Sequence, residues 1–488
     1  MSSEKLSEKM LGEAFECSGM WWLPQRANLP DESLEHRYGT LKYSPGGGII
    51  LTILGAFASA DEIMATFDIP SNLDIVLGLS SKGERITLLN CSQDGVTIGD
   101  VVESRYRART VLVGCQFTEP KKVAFEALDI QYTHLSEWAR FNVFDISEAW
   151  GSKEQQDRTI KYKQPEQVSP AAADKYAISV VPGVALRLAM FPSDTVTLEQ
   201  TSSIRVTSPS SGHITLSECF SLVFKMQGFL TLMMLDGIFP TGVQGISHSK
   251  DSVHTVRLLY EPVGKQKPVS KLRPQDMPFD FQTIRANFGS LLDNFFKDSR
   301  MRSVYNQFFS DFYAPSTYTE EQFITMSTTV EAFHRRICQE DVKTTAESDA
   351  MGELAEWIDK MQAQGDLAAE LRRRLLASYE MPLRKRLEQL LTKYGNPFIH
   401  AVLGEDNIDR FLDDVVAMRK YYLTYDENLA GDALKGYELF VLYSKLKLLC
   451  WALFLNKIGM SENEIEDALK AQTRDETSRF GFLRQSHG

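Results

Sequence analysis

Fifteen of the eighteen prolines lie before residue 282, and only Pro315, Pro382 and Pro397 follow it. Proline has no backbone donor and its ring clashes with the preceding turn, so helix interiors expel it. The imbalance predicts an α+β chain, with strands and turns first and an almost wholly helical second half. With 488 residues and ~100–200 residues per domain, the chain needs more than one core.

The first half carries strand signals at regular intervals. Phe15 to Pro24, Arg37 to Tyr43 and Ile49 to Gly55 are short β-rich runs, the last two divided by Pro45-Gly46-Gly47-Gly48. Ile75 to Leu79 and Arg85 to Cys91 flank Ser80 to Glu84, a second hairpin signal. Further strands are expected at Ser104 to Gly114, Lys122 to Asp129, Ala177 to Val181, Leu186 to Met190 and Ile204 to Thr207. Such spacing predicts a sheet sandwich or a partial barrel. A helix near Leu216 to Asp236 and a strand at Val253 to Tyr260 close this β-rich domain, residues 1–261. The charged, proline-bearing stretch 262–280 reads as a linker to a helical domain, residues 281–488.

From Phe281 the apolar period becomes that of helices, expected at 282–298, 302–313, 319–341, 347–363, 366–379, 383–394, 406–423, 430–458 and 462–473. Thr319 to Gln322 is a start signal, and Ser461 with Glu464 is a capping box. In the longest helix Leu439, Leu442, Leu446, Leu449 and Leu453 form one apolar stripe, as a bundle core requires.

Composition narrows the function. The most apolar run, Phe220 to Met234, is interrupted by Lys225, Gln227 and Gly228 and reads as a buried helix; no run reaches the ~18–20 apolar residues of a membrane span. With a polar N-terminus as well, a cytoplasmic protein is expected. Six scattered cysteines offer no zinc ribbon or disulfide framework. No histidine pair has metal-ligand spacing, and Gly46-Gly47-Gly48 lacks the following Lys-Ser/Thr of a phosphate loop, so neither metal nor cofactor is expected. A net charge of -12 argues against non-specific binding to a polyanion, so nucleic-acid contact needs a local basic patch. Arg372, Arg373 and Arg374 with Arg384, Lys385 and Arg386 offer one; the alternative is a solvated face paired with neighbouring glutamates. Trp21 and Trp22 read as core rather than as a stacking platform, and His400 as structural.

The segment Met418 to Asp426 (MRKYYLTYD) closes one amphipathic helix before the next. It resembles the signature of HEPN domains, which is an Arg, usually a following polar residue, and a His four to six residues beyond the Arg. Here Arg419 is present, Lys420 takes the polar slot, and Thr424 stands where the His belongs. Other segments extend the likeness: Gly19 to Pro24, Gly39-Thr40-Leu41 and Lys82 to Cys91, then Ser327 to Arg336, Pro382 to Gly395 and Val415 to Asp426. Together they resemble ApeA-type abortive-infection proteins of bacteria, an ApeA N-terminal domain followed by an ApeA-like HEPN bundle. The resemblance implies anti-phage defence, RNA (transfer RNA included) as the partner, and a homodimer through the helical domain, in which helix 430–458 suits an isologous contact.

Metal-independent RNA cleavage needs a base for the 2′-hydroxyl, a cation for the charge developing on phosphorus, and an acid for the leaving oxygen. Arg419 and Lys420 suit phosphate, Arg because it stays charged and grips two oxygens. Thr424 does not titrate usefully, and Tyr425, with an ordinary pKa near ~10, suits an acid better than a base. Glu331 and His334 share a helix face and are candidate substitutes for the missing imidazole. Three readings stay open: an endoribonuclease with an altered acid/base group, a non-catalytic RNA or nucleotide binder, and a protein-binding sensor.

Overall fold

The computed structural model describes residues 5–24, 36–57, 72–97, 102–148, 158–163, 165, 169–188, 196–208, 212–249, 252–262, 272–314, 318–338, 353–354, 356–357, 370, 381–474 and 478–483. The chain divides into two compact units, Met1–Phe296 and Lys297–Gly488.

The first unit opens with seven strands: β1 (Phe15–Trp22), β2 (Arg37–Ser44), β3 (Gly48–Leu54), β4 (Asn72–Ser80), β5 (Arg85–Thr97), β6 (Glu103–Ala108) and β7 (Thr110–Val113). The order β5-β4-β1-β2-β3-β6, together with a β5–β6 pairing, closes a six-stranded antiparallel barrel. Closure turns on β5. Its first part pairs with β7 over Ile86 to Leu89, and its last part pairs with β6 from Ser92 on, with a register shift between Gln93 and Gly95. A bulge of this kind bends a strand and sharpens its twist, which is how a sheet curls shut. Trp21 fills the interior, wholly buried, and its indole N–H donates to the Gly39 carbonyl at 3.3 Å. Position 78 has to be glycine, because a Cβ there would lie 2.3 Å from the Trp21 ring. Trp22 is half-buried, its ring edge-on to His36.

Beyond the barrel come β8 (Ala124–Phe125), β9 (Ala127–Tyr132), β10 (Phe144–Glu148), β11 (Arg158–Tyr162), β12 (Ala171–Ala173), β13 (Tyr176–Leu188), β14 (Val196–Thr207), β15 (Ile214–Thr215), β16 (Pro240–Ser249) and β17 (Ser252–Tyr260). β7 passes the sheet on through β17, β16, β9, β14 and β13 to β12. Two expected strands, at 177–181 and 186–190, are in fact the single β13, which pairs along its length with β14.

The helices among the described residues include α1 (Leu135–Ala139), α2 (Leu216–Met234), α3 (Phe281–Ile284), α4 (Phe288–Lys297), α5 (Arg302–Tyr313), α6 (Thr319–Ile337), α7 (Leu383–Tyr394), α8 (Ile408–Thr424), α9 (Tyr437–Ile458) and α10 (Glu462–Gln472). A Thr215–Glu218 capping box starts α2, which lies against β9, where the Tyr132 hydroxyl donates to the Val223 carbonyl at 2.8 Å. No helix among the described residues is long and apolar enough to cross a membrane.

The division between the units falls later than the sequence suggests. Met277, Phe279 and Asp280 are buried, so the described end of the expected linker is packed, not a free spacer. The Trp138 indole donates to the Phe279 carbonyl at 2.9 Å and its ring meets Phe281 and Phe288, while Phe229 meets Phe288 and Phe295. Aromatic burial thus fastens α3 and most of α4 to the β unit. The expected helix 282–298 is also broken in two between them.

In the second unit α6 touches α5, α7, α8 and α9. Phe323, Met326, Val330 and Phe333 give α6 its buried stripe, and Phe454 of α9 meets Tyr305, Phe308 and Phe333. α9 begins at Tyr437 rather than 430, because Gly436 ahead of it has a positive φ of 57°. It is buried on nearly every side by its own unit, from Leu439 to Ile458. Tyr437 and Phe440, at its start, are the apolar residues it leaves exposed.

A charge sits in this core. The Lys447 ammonium meets Asp311 Oδ2 at 2.5 Å and lies 4.1 Å from the centre of the Phe312 ring, while the Tyr443 hydroxyl donates to the same carboxylate oxygen at 2.6 Å. Removing one partner of a buried pair strands the other charge. Lys447→Met is expected to cost about 3–5 kcal/mol in urea denaturation, and the double change Asp311→Asn with Lys447→Met to recover part of that loss.

Candidate functional site

The signature residue Arg419 lies near the end of α8, whose buried Phe411, Leu412, Val415, Met418 and Tyr422 seat that helix in the bundle. Arg419 follows the buried Met418 and is itself one-fifth exposed, so its stem is covered while its head reaches a neighbouring helix. There it meets Glu331 of α6, with Nη2 2.5 Å from Oε2. The other oxygen, Oε1, accepts from Arg335 Nε at 3.1 Å and Nη2 at 2.7 Å. One carboxylate thus holds two guanidiniums. Burial pushes the Glu331 carboxyl up, but the Arg335 hydrogen bonds and the Arg419 charge outweigh it, so it titrates below the usual carboxylate range. Arg419 Nε is buried with no hydrogen-bond partner.

The remaining signature positions are arranged differently. Lys420 is exposed. Thr424 is the last residue of α8, and its hydroxyl donates to the Lys420 carbonyl at 2.8 Å, which ties it to its own helix. Tyr425 caps the helix with φ at 49°, and its N–H donates to the Tyr421 carbonyl at 2.6 Å. The Tyr425 ring is 62% exposed, against the rings of Tyr421 and Tyr422. Tyr422 is the buried member of the three; its hydroxyl donates to the Leu434 carbonyl at 2.5 Å, and burial pushes it up to about 12.

Glu331 and His334, expected on one helix face, turn to different partners. His334 is buried; its Nε2 lies 2.6 Å from Gln389 Oε1, and its Nδ1 lies 3.1 Å from Arg386 Nη1. A guanidinium only donates, so Nδ1 accepts and Nε2 carries the proton given to Gln389. The ring is fixed in one neutral tautomer inside the bundle, which removes it as a replacement for the signature imidazole.

The same contact corrects the basic patch. Arg386 is buried on α7, donating to His334 and, from Nε, to the Met381 carbonyl at 2.9 Å. Arg384 is engaged by Asp409 at 2.7 Å, Asp413 at 2.6 Å and Glu388 at 3.1 Å. Only Lys385 of the three stands exposed. The two arginines on α7 therefore serve the bundle and its acidic neighbours. Arg372, Arg373 and Arg374 lie outside the described residues, as do most of the helices expected at 347–379. His400 is an exposed surface residue 3.4 Å from Glu466. Among the described residues no group of three His, Cys, Asp or Glu is placed to hold a metal ion.

Sequence reasoning missed Arg335 as the second ligand of Glu331, although the Glu-to-Arg spacing of four was the available signal. It also missed Gln389, for which no local signal exists, since it meets His334 from another helix.

A strand-built unit containing a closed barrel, followed by a helical bundle whose signature arginine is held by a carboxylate of its first long helix, defines a two-part protein of the HEPN class. Comparison with protein families agrees: residues 16–295 match ApeA N-terminal domain 1, and residues 324–464 match the Apea-like HEPN domain. The first match alone spans more than half of the chain, and the chain belongs to this ApeA family of defence-associated HEPN proteins. Comparison with curated proteins and with solved structures gives no match.

Because Glu331 titrates below its unfolded value, its contribution to stability is present above about pH 4.3, the ordinary carboxylate value, and is lost as pH falls through its depressed folded value. Glu331→Gln is expected to lose less melting temperature than wild type between about pH 5 and pH 3. An unchanged acid profile would place the acid-sensitive contacts elsewhere.

Proposed function

We propose that this chain is a bacterial anti-phage defence protein of the abortive-infection type whose helical domain engages RNA, transfer RNA included, as a homodimer. Arg419 is the phosphate-binding residue. The observation that supports this reading is the state of its guanidinium: Glu331 takes one end, and Nε has no acceptor. An unpaired buried donor costs about 1–3 kcal/mol, a cost that a second acceptor such as a phosphate oxygen relieves. Glu331 holds the group in place until RNA arrives, and Lys420, exposed beside it, adds a second cation.

The geometry favours binding over cleavage. Thr424 spends its hydroxyl on its own helix and has no useful pKa. His334 is buried with both nitrogens engaged. Glu331 has both oxygens engaged by guanidiniums, which hold its carboxyl below its ordinary value and weaken it as a base. Tyr425 is exposed and remains as an acid, but an acid alone leaves the 2′-hydroxyl without a base.

The test uses purified protein, total RNA and transfer RNA in EDTA, with RNA retention and cleavage ends measured side by side. Arg419→Ala should abolish retention and phage protection at unchanged protein level, and Arg419→Lys should restore little, because an ammonium lacks the planar fork. Thr424→His should raise cleavage by up to about 10²–10⁴-fold, the usual contribution of a general acid or base. Protection that survives Arg419→Ala would overturn the RNA reading and favour a protein-binding sensor. Efficient wild-type cleavage in EDTA, lost in Tyr425→Phe, would instead establish an endoribonuclease with an altered acid.

A further inference from the structure

The helical unit contains a cavity of about 220 Å³ that the signature site does not use, walled by α8, α9 and the residues just before each of them. A cavity of about 150 Å³ is known to admit benzene, so this one suits a somewhat larger small molecule, and it falls short of the ~300–1,000 Å³ of drug-sized sites. Its buried surface is apolar: Leu403, Phe411, Val441 and Leu442.

Four charged side chains line the same cavity, two of each sign: Arg410 and Lys445, Asp414 and Glu438. They are poorly paired. Arg410 and Asp414 stand 3.9 Å apart with Arg410 largely exposed, and no hydrogen bond or ion pair joins Lys445 to Asp414 among the described residues. Burial, with Arg410 adding to it, holds the Lys445 ammonium below its usual range despite the attraction of Asp414, and burial holds the Asp414 carboxyl above its own despite the attraction of Arg410 and Lys445. Asp414 and Lys445 are half-buried on this wall, and among the described residues neither has a charged partner closer than the 3.9 Å of Arg410 to Asp414.

We propose that this cavity binds a free, bulky, apolar α-amino acid, with its carboxylate at Lys445 and Arg410, its ammonium at Asp414 and Glu438, and its side chain on the Leu403, Phe411, Val441 and Leu442 surface. Only a ligand carrying both charges satisfies both wall groups at once, and the apolar lining selects among such ligands by size. A peptide terminus brings one charge only, and a nucleobase edge brings none. The cavity also abuts the helix that carries Arg419. Leu434, one of its lining residues, donates its N–H to Met418 Sδ at 3.0 Å and accepts from the Tyr422 hydroxyl at 2.5 Å. The binding itself is independent of the RNA reading and is measured without RNA.

The test is calorimetric titration and thermal melting of the full chain with L-leucine, L-methionine and L-phenylalanine. At least one should bind and raise the melting temperature. On wild type, 4-methylpentanoate, which lacks the ammonium, and leucinamide, which lacks the carboxylate, should each bind about tenfold more weakly or worse, the value of a charged hydrogen bond. Lys445→Met and Asp414→Asn should lower affinity for the amino acid by a similar factor. Since the analogue series needs no variant, it stands even if a substitution impairs folding. No binding by any of the three amino acids overturns the proposal, and so does equal binding of 4-methylpentanoate. Binding of a nucleoside monophosphate in their place would assign the cavity to a base.

Discussion

One carboxylate holds the signature end of the bundle together. Glu331 on α6 reaches Arg335 on its own helix with one oxygen and Arg419 on α8 with the other. Most ion pairs at a surface contribute little, but this carboxylate is only 16% exposed and grips guanidiniums on both sides. α6 is also the helix that α5, α7, α8 and α9 all touch. The bridge therefore orients the signature arginine from the helix of the unit that touches four others. Both guanidiniums also hold the Glu331 carboxyl below its ordinary value against the effect of its burial.

The helical unit sorts its charges by depth. Asp311 with Lys447, and Arg386 with His334, lie inside, each paired through specific hydrogen bonds that hold neighbouring helices in register. Buried polar groups tolerate no loose partner, because nothing replaces the water they gave up. Arg384 sits nearer the surface among three carboxylates. The side chains around the 220 Å³ cavity differ from both groups. Asp414 and Lys445 are half-buried there without a close ion pair among the described residues, while Arg410 and Glu438 stand exposed.

In the strand-built unit a single long strand decides the architecture. β5 pairs with β4 along much of its length, and on its other edge it first meets β7 and then, past the bulge, β6. Because β6 also pairs with β3 and β7 also pairs with β17, the same edge closes the barrel and feeds the open sheet. The aromatic group of Trp138, Phe281 and Phe288 then binds α3 and the start of α4 to this unit.

Much of this protein was legible in the sequence by itself. The proline imbalance, the change of period after Phe281 and the glycine turns determined strands first and helices after, because those signals act within a few residues of chain. The segments around Gly19, Lys82, Ser327 and Arg419 carried the family, and Thr424 in place of histidine was visible as a loss of titrating chemistry. What tertiary structure alone decided are the contacts made across long stretches of chain. Barrel closure through β5 and β6, the boundary at Phe296, the burial of Arg386 against His334, and the cavity between α8 and α9 all depend on which face of each element turns inward. A run such as Arg384-Lys385-Arg386 looks uniform in sequence. Successive residues on a helix point about 100° apart, so the bundle buries the third, pairs the first with carboxylates and leaves the second in water.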